Sequence, residues 1–168
     1  MSTVLEAELL VHLDTQINSA RHLLKLVLAQ GAAIRERDTD AVLARLSDIQ
    51  SEMVRRGALE QERTSLLQRA GMALGVPATS VTLERLCQLV TPGAAQAAME
   101  RSAELRGLLA EIAREHGINR ALMRQELTFL SHLTRLIGNE PEAGYAHPAT
   151  GTAQPGAPAL HRVLDLKA

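Results

Sequence analysis

The sequence has 168 residues, which is enough for one domain, and its formal net charge at pH 7 is −1. Aromatic residues make up only 1% of it, so the core must be built from aliphatic side chains, as in proteins that pack helix on helix. The balanced charge and the scarcity of aromatic rings argue against a nucleic-acid-binding protein, and no apolar run approaches the roughly 20 residues of a membrane-spanning helix.

The beginning of the chain and its cysteine content indicate the compartment. Residues 1–14 include two glutamates and no basic start, a composition that argues against a secretory signal. The single cysteine, Cys87, rules out an internal disulfide bond and is compatible with a reducing environment. We therefore expect a cytoplasmic protein that does not insert into a membrane.

A long first helix is predicted over residues 3–36. Its small and apolar residues recur at alternating intervals of three and four, which is the spacing of a coiled-coil seam. The residues of this seam are Ile17, Ala20, Leu24, Val27, Gly31 and Ile34. We therefore expect the first helix to pack along its length against another helix.

A second helix is predicted over residues 39–75, where a glycine–valine–proline run ends it. Its predicted seam consists of Val42, Leu46, Ile49, Met53, Leu67, Ala70 and Leu74. Three charged residues, Arg56, Glu60 and Arg63, share the phase of this seam, so its middle is either solvated or faces polar groups of another helix. Because the link to the first helix is short, the two helices should lie antiparallel as a rod about 50 Å long.

A short helix is predicted over residues 82–90, and a third long helix over residues 92–137. Thr91 is expected to be the N-cap of the third long helix and Pro92 its first residue. A single phase of three- and four-residue intervals then runs through this helix. It continues past two internal glycines, each of which costs up to about 1 kcal/mol relative to alanine.

Toward its end the third long helix presents an apolar face that is wider than one neighbouring helix requires. The face includes the only phenylalanine of the chain, Phe129. Two interpretations stay open, because the surplus either packs against the first two helices or is exposed to bind a partner protein. His116 and Asn119 interrupt the apolar pattern, and they either set the register between helices or mark the end of intramolecular packing.

Residues 138–168 differ in composition from the rest of the chain. Positions 138–159 contain four of the six prolines and four glycines, with few residues to bury, which is typical of a flexible linker. The last ten residues are more apolar, and they are predicted to form either a short docking helix or a frayed end. Their apolar members are Leu160, Val163, Leu164 and Leu166.

No motif of catalysis or metal binding accompanies these helices. The sequence lacks HExxH and CxxC motifs and a phosphate-binding loop, and none of its six histidines follows a glutamate by three residues, as in di-iron bundles. The apolar neighbours of Cys87 indicate a buried side chain rather than a reactive thiol. The sequence therefore predicts a protein without enzymatic activity, cofactor or metal.

The predicted fold class is all-α. We expect an elongated antiparallel helical bundle or coiled coil of three long helices plus one short helix. Residues 1–137 would form this helical domain, and residues 138–168 a flexible tail with a short apolar end.

Two runs of the sequence are similar to segments of a known family. The run EQERTSLLQRAGMALGVPATSVTLERLCQLV, residues 60–90, resembles a second helix that stops at a leucine-glycine pair before a small threonine-leucine helix. The run INRALMRQELTFLSHLTRLIG, residues 118–138, resembles the C-terminal helix of the same family, although His116 stands where that family often has an asparagine. In their order and spacing these runs, with the closing VLDLKA, resemble the flagellar export chaperone FlgN family over nearly the whole chain.

That resemblance implies a substrate-specific cytoplasmic chaperone of flagellar type III protein export. Such a chaperone binds the C-terminal helical segment of hook–filament junction proteins, keeps them unpolymerised and delivers them to the export gate of the flagellar export apparatus. An amphipathic helix can cover the apolar stripe of such a client as an added coiled-coil strand. The tail would then either tether the chaperone to the export machinery or cap its empty groove.

The predicted partner-binding face lies on the third long helix. Its apolar members would provide affinity, and its two polar members would set the register with the partner. The face consists of Asn119, Leu122, Met123, Glu126, Phe129, Leu130, Leu133, Leu136 and Ile137. The alternative function is a structural coiled-coil protein that homo-oligomerises through this face without a client, and a homodimer is also compatible with a chaperone that is free of its client.

Overall fold

The computed structural model describes residues 2–138. In this range the chain contains four α-helices, one short 3-10 helix and no strand, which confirms the predicted all-α fold class. The tail predicted for residues 138–168 lies outside the described residues, except for Gly138, which ends the last helix.

Three of the four α-helices are long. Helix α1 comprises Ser2–Glu36, α2 Thr39–Leu74, α3 Leu83–Cys87 and α4 Pro92–Gly138. The sequence placed the corresponding helices at 3–36, 39–75, 82–90 and 92–137. A 3-10 turn, Ala78–Ser80, joins α2 to α3. Thr82 is the N-cap of α3, and its side chain accepts a hydrogen bond from the backbone N–H of Arg85.

Only Arg37 and Asp38 separate α1 from α2, and this link caps both helices. Arg37 adopts a left-handed conformation with φ of 56°, and the backbone N–H groups of the two link residues donate to the carbonyls of Ile34 and Ala33. This is the Schellman arrangement, which satisfies the last carbonyls of a helix. The Asp38 side chain accepts from the N–H of Ala41 and so caps the start of α2. The chain therefore reverses direction within two residues.

Helix α2 runs antiparallel to α1. Glu8 near the start of α1 pairs with Arg69 near the end of α2, at a distance of 2.8 Å between carboxylate and guanidinium. Farther along α1, Ser19 is bonded to Glu52, so the residue numbers on the two helices change in opposite directions. The orientation agrees with the expectation from the short link.

Helix α4 lies on the other side of α1 and runs parallel to it. Asp14 of α1 accepts a hydrogen bond from Arg101 at 2.7 Å, and Val27 of α1 accepts one from Asn119 at 2.8 Å. The residue numbers on α1 and α4 thus increase together. Because α1 contacts both α2 and α4 extensively, it is the central helix of the bundle.

The core follows α1, since this helix has neighbours on two sides. At the end of the bundle where α1 begins, buried side chains from all four α-helices meet in one cluster. Its members are Leu9, Leu66, Ala70, Leu86 and Ala98. Helix α3 contributes Leu86 and thereby closes this end of the bundle.

The buried face of α2 is rotated relative to the predicted seam. Glu52 is buried, whereas the neighbouring Met53, which was predicted to be a seam residue, is 53% exposed. The Ser19 hydroxyl donates to the Glu52 carboxylate at 2.5 Å, and Arg56 donates to the same hydroxyl oxygen at 3.2 Å. The prediction for Met53 is therefore wrong, while the contact of Arg56 with a polar group of another helix is confirmed.

Candidate functional site

Helix α4 continues past the end of the bundle. Its Glu126 forms an ion pair with Arg37 in the α1–α2 link, with 3.4 Å between Oε1 and Nη2. From there α4 extends to Gly138, a distance of about 18 Å at 1.5 Å per residue. Every side chain from residue 127 to residue 137 is exposed. We call residues 127–138 the overhang.

Large apolar side chains cover the overhang. Phe129 is 50% exposed, Leu130 55% and Ile137 74%. The complete set of large exposed apolar residues on the overhang is Leu127, Phe129, Leu130, Leu133, Leu136 and Ile137. A contiguous apolar surface marks a protein interaction site, which single exposed side chains do not. No helix within residues 2–138 is both long and apolar enough to cross a membrane.

A cleft of about 430 Å³ opens between the start of the overhang and the α1–α2 link, and we call it the end cleft. One wall consists of Ile34, Arg37, Thr39 and Val42, and the other of Met123, Glu126, Leu127, Phe129 and Leu130. The lining is apolar except for Thr39 and the ion pair between the two walls. The end cleft and the overhang therefore form one continuous surface that an apolar helix of another molecule can occupy.

Asn119 lies inside the α1–α4 interface, where it is 1% exposed. Its Nδ2 donates to the backbone carbonyl of Val27 at 2.8 Å and lies 3.5 Å from Oε1 of Gln30. Gly31 provides the space for this carboxamide, because a Cβ at that position would lie 2.6 Å from Oδ1 of Asn119. This position agrees with the hypothesis that Asn119 sets the register between helices. A direct contact of Asn119 with a partner would require α4 to leave α1.

The other residues of the predicted face are accessible to different degrees. Leu122, Met123 and Glu126 are half-buried where α4 passes the α1–α2 link. Five further members are exposed on the overhang, namely Phe129, Leu130, Leu133, Leu136 and Ile137. The structure thus brings the predicted face, apart from Asn119, onto one accessible stretch at the end of α4.

The wall of the end cleft that residues 34–42 contribute was not predicted from the sequence. The predicted face also lacked Leu127, which lies one turn after Met123 and lines the same cleft. The short link was the available signal, because it places residues 34–42 at the end of the bundle. A helix that runs parallel to α1 and is longer than α1 must pass that end.

Among residues 2–138, no three His, Cys, Asp or Glu side chains lie where they could hold a metal ion. Burial raises the pKa of the Cys87 thiol, with a further contribution from Glu84, and so disfavours the reactive thiolate. Burial lowers the pKa of His12, although the nearby Glu62 opposes this shift.

The chain matches a known protein-family model. The model described as FlgN protein matches residues 1–152, which is most of the chain, and it confirms the resemblance seen in the sequence. Comparisons with the curated proteins and with the solved structures found no match.

Proposed function

The chain belongs to the FlgN family of flagellar export chaperones, and we propose that its clients are hook–filament junction proteins. It binds the C-terminal helical segment of these proteins in the cytoplasm, keeps them unpolymerised and delivers them to the export gate. The flagellar export apparatus is then its second partner. In this proposal residues 1–137 form one helical chaperone domain and residues 138–168 its tail.

The apolar surface formed by the overhang and the end cleft is the observation that carries this proposal. An amphipathic client segment that has not yet assembled exposes an apolar stripe, which associates with other apolar surfaces unless it is covered. A client helix laid along the overhang would contact Phe129, Leu130 and Leu133, with one end in the cleft. Each half-exposed side chain of this size contributes about 1 kcal/mol when it becomes fully buried, so the contact does not depend on charge pairing.

The two polar members of the predicted face have positioning roles in this proposal. Asn119 fixes the axial register of α4 along α1, and this register determines at which residue the overhang begins. Glu126 stands at the border between the packed part of α4 and the overhang. Its side chain is 42% exposed and paired with Arg37, so it can exchange this partner for a basic group of the client.

Light scattering coupled to size-exclusion chromatography tests the proposal with purified junction proteins from the same cell. We expect a complex of one chaperone with one client for the unaltered chain. Phe129→Asp should abolish the complex, because it places a charge in the centre of the apolar contact. Met53→Asp is the matched control, since Met53 is 53% exposed on α2 and lies outside the cleft. The control variant should bind the client like the unaltered chain.

Two results would contradict the proposal. If Phe129→Asp weakened client binding no more than Met53→Asp does, the overhang would not be the binding surface. A stable homodimer that is disrupted by Phe129→Asp and ignores every junction protein would support the alternative, a structural coiled-coil protein without a client.

A further inference from the structure

We infer that residues 159–168 of this same chain occupy the end cleft and the start of the overhang when no client is bound. The inference rests on the proposed function, because it concerns the regulation of the same surface. Within residues 2–138 this surface is exposed, and thirty further residues follow the end of α4. These thirty residues are attached to the end of the overhang, so the chain itself keeps them near this surface.

The segment has the apolar chemistry that the surface requires. Leu160, Val163 and Leu164 follow the three- and four-residue spacing of the apolar face of a helix, and Leu166 adds a fourth apolar side chain. Short amphipathic helices with this pattern bind in apolar grooves. The twenty residues before it, 139–158, offer no comparable pattern.

The charged side chains of the segment are compatible with its docking in the end cleft. Arg37 and Glu126 form the only ion pair among the lining residues, and both side chains are accessible to solvent. Arg162 and Asp165 are three residues apart, a spacing that places two side chains on the same side of a helix. This side is opposite Leu160 and Leu164, so both charges stay in water when the apolar side of the segment enters the cleft.

The connecting chain has a suitable length. A linker of twenty residues, 139–158, has a root-mean-square span of about 25 Å. The way back along α4 from Gly138 to Glu126 measures about 18 Å. Because the span of the linker matches this distance, the effective concentration of the segment at the cleft is close to its maximum, in the millimolar range.

These quantities determine how strongly the segment competes with a client. Half-burial of four apolar side chains corresponds to a dissociation constant on the order of 1 mM. With an effective concentration of the same order, the docked and undocked forms are about equally populated. Removing the segment should therefore increase the apparent affinity for a client about twofold. Docking covers the apolar surface while the chaperone is empty, and any client of higher affinity displaces the segment.

Paramagnetic broadening in the full-length, client-free chain tests the inference. Cys87→Ser removes the native thiol, and Ala168→Cys carries a spin label next to the segment. Methyl signals of labelled methionines report the contact, because Met123 lines the end cleft whereas Met72 is exposed at the opposite end of the bundle. We expect the Met123 signal to be lost and the Met72 signal to persist at micromolar protein concentration.

Two further variants separate docking from random collisions of the tail. Leu160→Asp with Leu164→Asp should restore the Met123 signal. Ala153→Asp with Ala157→Asp adds the same charge to the linker and should leave Met123 broadened. Equal broadening of Met123 in the unaltered segment and in the doubly charged segment would overturn the inference.

The same labels distinguish docking within one chain from docking on a second copy. In this experiment, chains that carry the spin label but no isotope-labelled methionine are mixed with chains that carry labelled methionine but no spin label. Intramolecular docking then predicts no broadening of the Met123 signal. Broadening in this mixture would assign the segment to a second copy and overturn the inference. No client is present in these measurements, so a negative result leaves the proposed client binding intact.

Discussion

Helix α4 contains two regions that resemble each other in sequence and differ in their surroundings. Up to Asn119 the helix is fixed to α1, and Ala98 is fully buried in the core. In the overhang the same periodic apolar pattern continues, yet every side chain from residue 127 to residue 137 is exposed. The comparison shows that hydrophobic periodicity reports which face of a helix is apolar. It does not report whether the same chain provides the neighbour that covers this face.

Hydrogen exchange should separate the two regions most strongly. Amides of residues 127–138 are protected only by hydrogen bonds within one helix, and a short helix without tertiary contacts is marginally stable. Amides of residues 94–119 exchange only when α4 leaves α1. In the client-free protein we expect exchange at least about a hundredfold faster in the overhang, a difference of about 2.7 kcal/mol in opening free energy. Equal protection along α4 would show that the overhang is covered.

Truncation of a side chain in each region should change stability by very different amounts. Asn119→Ala removes a buried hydrogen bond and leaves a cavity, so it should lower the free energy of unfolding by about 2–3 kcal/mol. Leu130→Ala removes a larger apolar group from an exposed site and should change that free energy by less than about 0.5 kcal/mol. Urea denaturation of the two variants measures both values. A large loss in the free energy of unfolding for Leu130→Ala would mean that the overhang belongs to the core.

A third comparison uses glycines. Gly31→Ala places a methyl group against the Asn119 carboxamide and should destabilise the protein by about 1–2 kcal/mol. Gly117→Ala meets open space in α4 and should stabilise it by about 0.5–1 kcal/mol, because alanine has the higher helix propensity. Thermal unfolding compares the two variants. In an Asn119→Ala background, Gly31→Ala should become stabilising, and persistence of its cost there would contradict the proposed contact.

The smallest effect is expected at the α1–α2 link, where the packed region gives way to the overhang. Arg37 has a positive φ, a conformation that glycine adopts without strain. Arg37→Gly and Arg37→Ala both remove the ion pair with Glu126, which is exposed and contributes at most about 1 kcal/mol. We expect the glycine variant to be more stable than the alanine variant by about 1 kcal/mol in urea denaturation. Equal stabilities would mean that the link has another conformation in solution.

The fold was largely predictable because its determinants are local. The spacing of apolar residues, the cap at Thr91 and the stop at Gly75 each act within a few residues of the chain, and the structure contains a cap or a helix end at both positions. The short link between the first two helices further determines that they are antiparallel. These features do not depend on which helices pack against each other.

The features that were not predicted correctly from the sequence depend on contacts between distant parts of the chain. Glu52 is buried and accepts a hydrogen bond from Ser19, thirty-three positions away, and the pattern of residues within α2 does not predict that partner. The end cleft was not predicted for the same reason, because one of its walls is formed by residues around the α1–α2 link and the other by α4. Buried polar groups and shared surfaces depend on how helices are placed in space, which the period of a single helix does not encode.

The parallel arrangement of α1 and α4 also has a consequence during synthesis of the chain. Asn119 follows its hydrogen-bond acceptor Val27 by ninety-two positions, so α1 lacks one of its two neighbours until most of the chain has been made. At about 5–20 residues per second, the ribosome needs roughly 5–20 s to produce this interval. During that time α1 and α2 can form a hairpin whose open side is apolar. The nascent chain therefore passes through a stage in which α1 exposes an apolar surface that α4 later covers.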